Sequence, residues 1–132
     1  AVIPQWFASL LRNETVYVNG DGETSRDFCY IDNVVQANLL ASFAEGKARN
    51  QIYNVAFGER TTLNELFDLI KEEVMRHKDV ANAMPVHRDF RAGDVRHSLA
   101  NIDKAKTLLG YEPHFNVRQG LRLAGDWYAA NL

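Results

Sequence analysis

Apolar residues recur at helical spacing in several separate stretches of the chain. Ile3, Phe7, Leu10 and Leu11 share one face, and Pro4 suits a first helical turn, so the spacing predicts a helix over Ile3–Arg12. Thr62-Leu-Asn-Glu65 reads as a capping box, and Leu63, Leu66, Phe67, Ile70 and Val74 follow it at helical spacing. Val117, Leu121, Ala124 and Tyr128 mark a last helix over Val117–Asn131. Asp32 is placed to cap a helix running through Ala44, stopped by Glu45-Gly46. Its apolar residues, Val34, Val35, Leu39, Leu40 and Phe43, are too many for one narrow stripe and imply packing on more than one side. Asn101 is a candidate cap for Ile102–Leu109, with Gly110 as its stop.

Strand signals are shorter. Val16–Val18 and Phe28–Ile31 alternate around a polar stretch carrying Gly20-Asp21-Gly22, which predicts a β-hairpin. Gln51-Ile-Tyr-Asn-Val-Ala56 has the order expected of a strand in a parallel sheet. Pro85-Val-His-Arg88 reads as an edge strand, since proline cannot donate to a ladder. The class is α/β, with about five helices and small sheet elements.

At 132 residues the chain has room for one modest core and little more, so residues 1–132 are expected to form a single unit. A formal net charge of −2 gives no bulk attraction to nucleic acid or to an anionic membrane. No apolar run approaches a membrane span, no signal-peptide pattern opens the chain, and the lone Cys29 cannot form an internal disulfide, so the expected location is cytoplasmic. His77, His87, His97 and His114 are scattered singly, with no spacing that groups them as metal ligands. The opening Ala1-Val-Ile-Pro-Gln-Trp has no initiator methionine, so the chain is expected to be cut from something longer.

Candidate chemistry lies in two loops. Arg26, followed by Asp27, sits where the chain straightens after the glycine turn; a guanidinium directed by a carboxylate is a good anion clamp. On spacing alone, an ordinary surface ion pair is an equal reading. Far along the chain, Arg88-Asp-Phe-Arg-Ala-Gly-Asp-Val-Arg-His-Ser98 again gathers arginine, glycine and aspartate.

Together the two segments resemble those of the extended short-chain dehydrogenase/reductases that act on nucleotide-sugars. Residues 20–31 are similar to their Gly-x-Gly-x-x-x-Arg-Asp-Phe-x-Tyr-Ile segment, and Arg91-Ala-Gly-Asp94 is similar to their Arg-x-Gly-Asp segment. Ala1-Val-Ile-Pro and Asn54-Val-Ala bring the chain nearest to bacterial UDP-N-acetylglucosamine 4-epimerases. The resemblance covers nearly the whole chain, but only the carboxyl-terminal, substrate-binding part of such an enzyme. It implies that Arg26 and Arg91 hold a UDP-sugar's pyrophosphate, that Asp94 accepts from a ribose hydroxyl, and that Tyr17 and Asn19 lie along the uridine. Packing and turn roles remain open for Tyr17 and Asn19.

Such enzymes use NAD, bound at a Gly-rich turn, and a tyrosine with a lysine four residues on. This sequence has no such glycine pattern, and none of its tyrosines is followed by lysine at that spacing. No catalytic residue is therefore assigned, NAD is expected to bind only the parent enzyme, and the isolated chain is expected to be inactive. In the family, the segments near Asp32–Ala44 and Gln51–Ala56 pack on the cofactor domain. Val34, Leu39, Leu40, Ile52 and Val55 are thus expected to lack full cover, inviting self-association or the absent NAD-binding domain. A related dehydratase or uronate epimerase, and a free-standing non-catalytic binding module, remain alternatives.

Overall fold

A computed structural model describes residues 1–132. In chain order the elements are α1 (Val2–Leu11), β1 (Tyr17–Asn19), β2 (Ser25–Arg26), α2 (Ile31–Ser42), a 3-10 turn at Gly46–Ala48, β3 (Thr61–Thr62), α3 (Leu63–Met75), β4 (Val86–Arg88), α4 (Asp103–Leu109) and α5 (Val117–Asn131). The α/β class and the five helices are those the periodicity predicts. The capping box also forms. Thr62 Oγ1 accepts from Glu65 N at 3.1 Å and Glu65 Oε2 accepts from Thr62 N at 2.7 Å, which pairs two backbone donors that α3 would otherwise leave open. A second box, Asn116 with Gln119, starts α5 and was not read from the sequence.

The expected hairpin does not form. β1 pairs in parallel with β4, Tyr17 opposite Val86 and Asn19 opposite Arg88, whereas β2 pairs antiparallel with β3. A parallel pair needs a long crossover, and here β2, α2, β3 and α3 supply it. β4 is an edge strand, as Pro85 requires.

Three smaller expectations also change. α2 starts two residues early, with Tyr30 at its cap position and Asp32 in its first turn. Asn101 does not cap α4; its Oδ1 accepts from Asp103 N at 2.9 Å in a local turn while Ile102 holds the cap position. Residues 51–56 form no strand, because no strand of this chain runs beside them.

Two apolar clusters form rather than one. The larger joins Trp6, Phe7 and Leu10 of α1, Val16 and Val18 around β1, and Leu66, Phe67, Ile70 and Val74 of α3, closed by Val80 and Leu121. The smaller gathers Ala37, Ala56, Ile102, Ala105 and Tyr111 between α2, α4 and the 51–56 segment. α2 therefore packs on one side only within this chain. Its other face carries Ile31, Val35, Leu39 and Phe43, four residues apart and exposed by 60, 45, 57 and 82%. Ile52 is 89% exposed, while Val34, Leu40 and Val55 are half-buried.

The buried polar pin of this smaller half is Asn33. Its Nδ2 donates to Phe115 O at 2.7 Å, and its Oδ1 accepts from His114 N and Phe115 N at 2.9 and 3.1 Å. Replacing it strands three backbone groups at a site where the side chain is 1% exposed. Asn33→Ala should cost about 3 kcal/mol, roughly one per lost partner, read as a lower urea midpoint with unchanged slope.

Candidate functional site

Two residues make up β2, too few to hold themselves in place, so the neighbours of Ser25 and Arg26 decide where the arginine points. On one edge, Ser25 faces Thr62 and Arg26 faces Thr61 of β3. On the other edge the loop after β4 runs alongside: Ser25 N donates to Arg96 O at 2.9 Å and Ser98 N donates to Ser25 O at 3.1 Å. The Ser25 hydroxyl also bonds His97 Nδ1 at 2.9 Å. His97, itself exposed, thus ties the two segments together.

This alignment brings Arg26 against Asp94. The guanidinium donates through Nη2 to Asp94 Oδ1, and through Nη1 to Ser25 O at 2.8 Å. Asp27 does not direct Arg26. Its two oxygens accept from Phe57 N and Gly58 N at 3.1 and 2.9 Å, so its work is to hold the 57–58 backbone. Arg91 begins the turn that ends at Asp94, whose N–H donates to Arg91 O at 3.1 Å. The Arg91 side chain is exposed and makes no hydrogen bond within the chain. The structure therefore unites Arg26 and Asp94 directly and places Arg91 on the same turn.

Tyr17 and Asn19 project to the exposed side of β1, while Val16 and Val18 are 2 and 0% exposed in the core. The Tyr17 ring lies under Arg88, its centroid 3.2 Å from the guanidinium carbon. Arg88 was not picked out from the sequence, although strand alternation would have put it opposite Asn19 had the parallel register been known.

A second arginine went unread as well. Arg96 Nη1 and Nη2 donate to Asp21 Oδ1 and Oδ2 at 2.8 and 2.7 Å, a two-pronged clasp between the glycine turn and the later loop. The glycines complete that contact. Gly20 and Gly22 have φ of +78 and +79°, and a Cβ would lie 2.3 Å from the Phe90 ring and 1.9 Å from Asn64 Oδ1 respectively. The paired segments thus form an open ledge that carries Arg26 beside Asp94, Arg96 beside Asp21 and Arg88 over Tyr17, with Arg91 at the start of the Asp94 turn. The hollow beside Val16 and Val80 and the apolar one between Phe28, Tyr30 and Val117 are lined by other residues. Chemically, the ledge offers fixed, permanently ionised donors to a polyanion and a carboxylate to a hydroxyl.

The residues do not fit a dinucleotide. A cofactor pyrophosphate needs a bare glycine turn opening a helix. Here the glycine turn leads into β2, and Phe90 and Asn64 fill the spaces its glycines leave. Nor is Tyr111, the buried tyrosine, poised as a base. Tyr111 donates its hydroxyl to Ala56 O at 2.7 Å, and burial beside Cys29 holds the phenol above its ordinary range. Burial likewise raises the Cys29 thiol.

Residues 2–124 match the family described as GDP-mannose 4,6 dehydratase. The fold superposes on UDP-glucose 4-epimerase from Thermotoga maritima, solved with UDP-glucose, with a TM-score of 0.85 and 38% identity, covering 98% of this chain and 40% of that one. It is similar to UDP-N-acetylglucosamine 4-epimerase from Methanobrevibacter ruminantium M1, in complex with UDP-N-acetylmuramic acid: TM-score 0.85, 32% identity, all of this chain and 40% of that one. A further neighbour, MoeE5, was solved with UDP-glucuronic acid and NAD; it is 26% identical with a TM-score of 0.85, covering 100% of this chain and 42% of that one. The chain spans 28–39% of the length of curated relatives that it matches.

The Arg96 clasp has a pH signature. The side-chain hydrogen bond from Arg96, then that of the Glu23 N–H, lowers the Asp21 carboxyl from 3.8 to about 2. A lowered folded value means the clasp's contribution is complete above 3.8 and is lost as pH falls through about 2. Carbon-detected NMR should therefore show Asp21 titrating near 2 in the native chain and moved up toward 3.8 in Arg96→Gln, which keeps the Glu23 N–H bond.

Proposed function

The chain belongs to the GDP-mannose 4,6-dehydratase family, among the nucleotide-sugar epimerases and dehydratases, and we propose that it is the part that holds the UDP of a UDP-sugar during NAD-dependent 4-epimerisation. The observation that carries this reading is the main-chain alignment of Ser25-Arg26 with residues 96–98, which gathers Arg26, Arg91 and Asp94 on one ledge. In it Arg26 and Arg91 clamp the diphosphate, Asp94 accepts from a ribose hydroxyl, and Tyr17 and Asn19 flank the uridine. Two guanidinium forks on separate backbones set the orientation of a diphosphate as well as its position. A nucleotide fixed at its phosphates leaves the sugar free to turn, which inversion at a single carbon needs.

NAD and the hydride chemistry belong, in this reading, to residues outside these 132, and the chain alone is inactive. The exposed stripe Ile31, Val35, Leu39 and Phe43, with Ile52 and the unpaired 51–56 backbone, is the face such a dinucleotide-binding part covers. Left bare, so much apolar surface drives association. Light scattering of the chain should show assemblies that grow with concentration and dissociate in Leu39→Glu/Phe43→Glu. A monomer at every concentration would speak against this use of the face.

Each arginine–phosphate contact contributes about 1.5–3 kcal/mol, so Arg26→Ala or Arg91→Ala should weaken UDP binding about 10- to 100-fold in calorimetry. Binding heat unchanged by both substitutions would remove the proposed roles.

A further inference from the structure

Between Phe90 and Arg96 lies a short loop that carries Arg91 and Asp94, and each end of it is fastened to the same three residues. At one end the Phe90 ring fills the space beside Gly20 that a side chain would occupy. At the other, the Arg96 guanidinium forks onto Asp21 at 2.8 and 2.7 Å and lies 5.3 Å over the Phe90 ring. The Gly20–Gly22 turn is itself held by α3. Asn64 Nδ2 donates to Asp21 O at 3.1 Å and to Glu23 Oε1 at 2.8 Å, and Asn64 N donates to Gly22 O at 3.0 Å. Within the loop, by contrast, the hydrogen bonds are the Asp94 N–H to Arg91 O and the Arg26–Asp94 pair.

We propose that Arg96 is a positioning residue: by clasping Asp21 it fixes the carboxyl-terminal end of the Arg91–Asp94 turn and thereby sets where those two side chains stand. The inference rests on the reading of Arg91 and Asp94 as contacts to a nucleotide diphosphate. It gives the Gly-Asp-Gly segment a task other than reversing a hairpin: the two glycines are the socket and the aspartate is the catch. Both partners of the clasp are about half exposed, 42 and 48%, so its worth lies in two-pronged geometry more than in stability.

The sign of one substitution separates this from the simpler possibility that Arg96 touches the ligand itself. Removing a carboxylate beside an anion site strengthens anion binding through Coulomb attraction alone. A positioning carboxylate does the reverse. Asp21→Asn keeps an acceptor for the Glu23 N–H, which Asp21 Oδ1 now takes at 2.9 Å, while losing the charged fork.

UDP would be titrated calorimetrically into the wild-type chain, Asp21→Asn, Arg96→Gln and the double variant, with Arg26→Ala as reference. Amide hydrogen exchange would be measured without ligand. Each single variant should weaken UDP about 10-fold, and the double variant no more than either, because both break one link. Exchange at Asp94 N–H should rise in each, while the core amides of Leu66 and Ile70 keep theirs. Asp21→Asn binding UDP as well as or better than wild type, with Arg96→Gln weakened, would make Arg96 a direct contact and overturn the proposal. If UDP does not bind the wild-type chain, or binds Arg26→Ala as it does wild type, the nucleotide reading falls. The exchange data then decide the clasp alone, and unchanged Asp94 exchange overturns it.

Discussion

The main chain around Ser25 is bonded along both of its edges: Leu63 N donates to Thr24 O on one side, and Ser25 itself bonds Arg96 O and Ser98 N on the other. A strand of two residues has no stability of its own, and the entropy of ordering it must be met by tertiary contacts. Those contacts come from segments about forty and seventy residues away, so the position of Arg26 is a property of the whole chain. The α3 helix is the rigid support: its capping box fixes Thr62, its core residues Leu66, Phe67, Ile70 and Val74 anchor it to α1 and α5, and its Asn64 holds the glycine turn. Core packing thus fixes the helix, the helix fixes the strand pair, and the strand pair aims the arginine.

What could be read along the chain is what local forces decide. The amphipathic spacing of α1, α3 and α5 and the Thr62 box involve residues within a few positions of each other, and they appear where expected. The hairpin failed because alternation says that a segment is extended but not what lies beside it. The Val16–Val18 run needed a partner, and β4 supplied it across a crossover invisible to any local pattern. Gln51–Ala56 failed in the opposite way. Its apolar, β-branched character is real, yet a strand is defined by a neighbour, and this chain offers none.

The site was legible unevenly for the same reason. Arg26, Arg91 and Asp94 stand in recognisable segments, and the fold brings those segments edge to edge. Asp27 was misassigned because adjacency in sequence suggested a partner for Arg26. On an extended backbone neighbouring side chains point to opposite faces, and that alternation argued against the pairing from the start. Asp94, sixty-eight positions away, is the true partner. Arg96 and Asp21 left a fainter trace, an acidic residue between two glycines and a second arginine in one loop, and nothing in their spacing joins them.

The Arg26–Asp94 pair looks at first like an obstacle, since a diphosphate must compete with a carboxylate already in place. Magnitudes decide otherwise. The two side chains are 27 and 38% exposed, and a pair so open to water is worth about 1 kcal/mol or less. A phosphate contact to the same guanidinium is worth about 1.5–3 kcal/mol. A flexible arginine also loses about 2 kcal/mol of rotamer freedom when it is first ordered, and Asp94 together with Ser25 O has already imposed that order. Only one Asp94 oxygen is engaged, which leaves the other for a hydroxyl. The pair therefore prepares the arginine for a polyanion while holding it too weakly to exclude one.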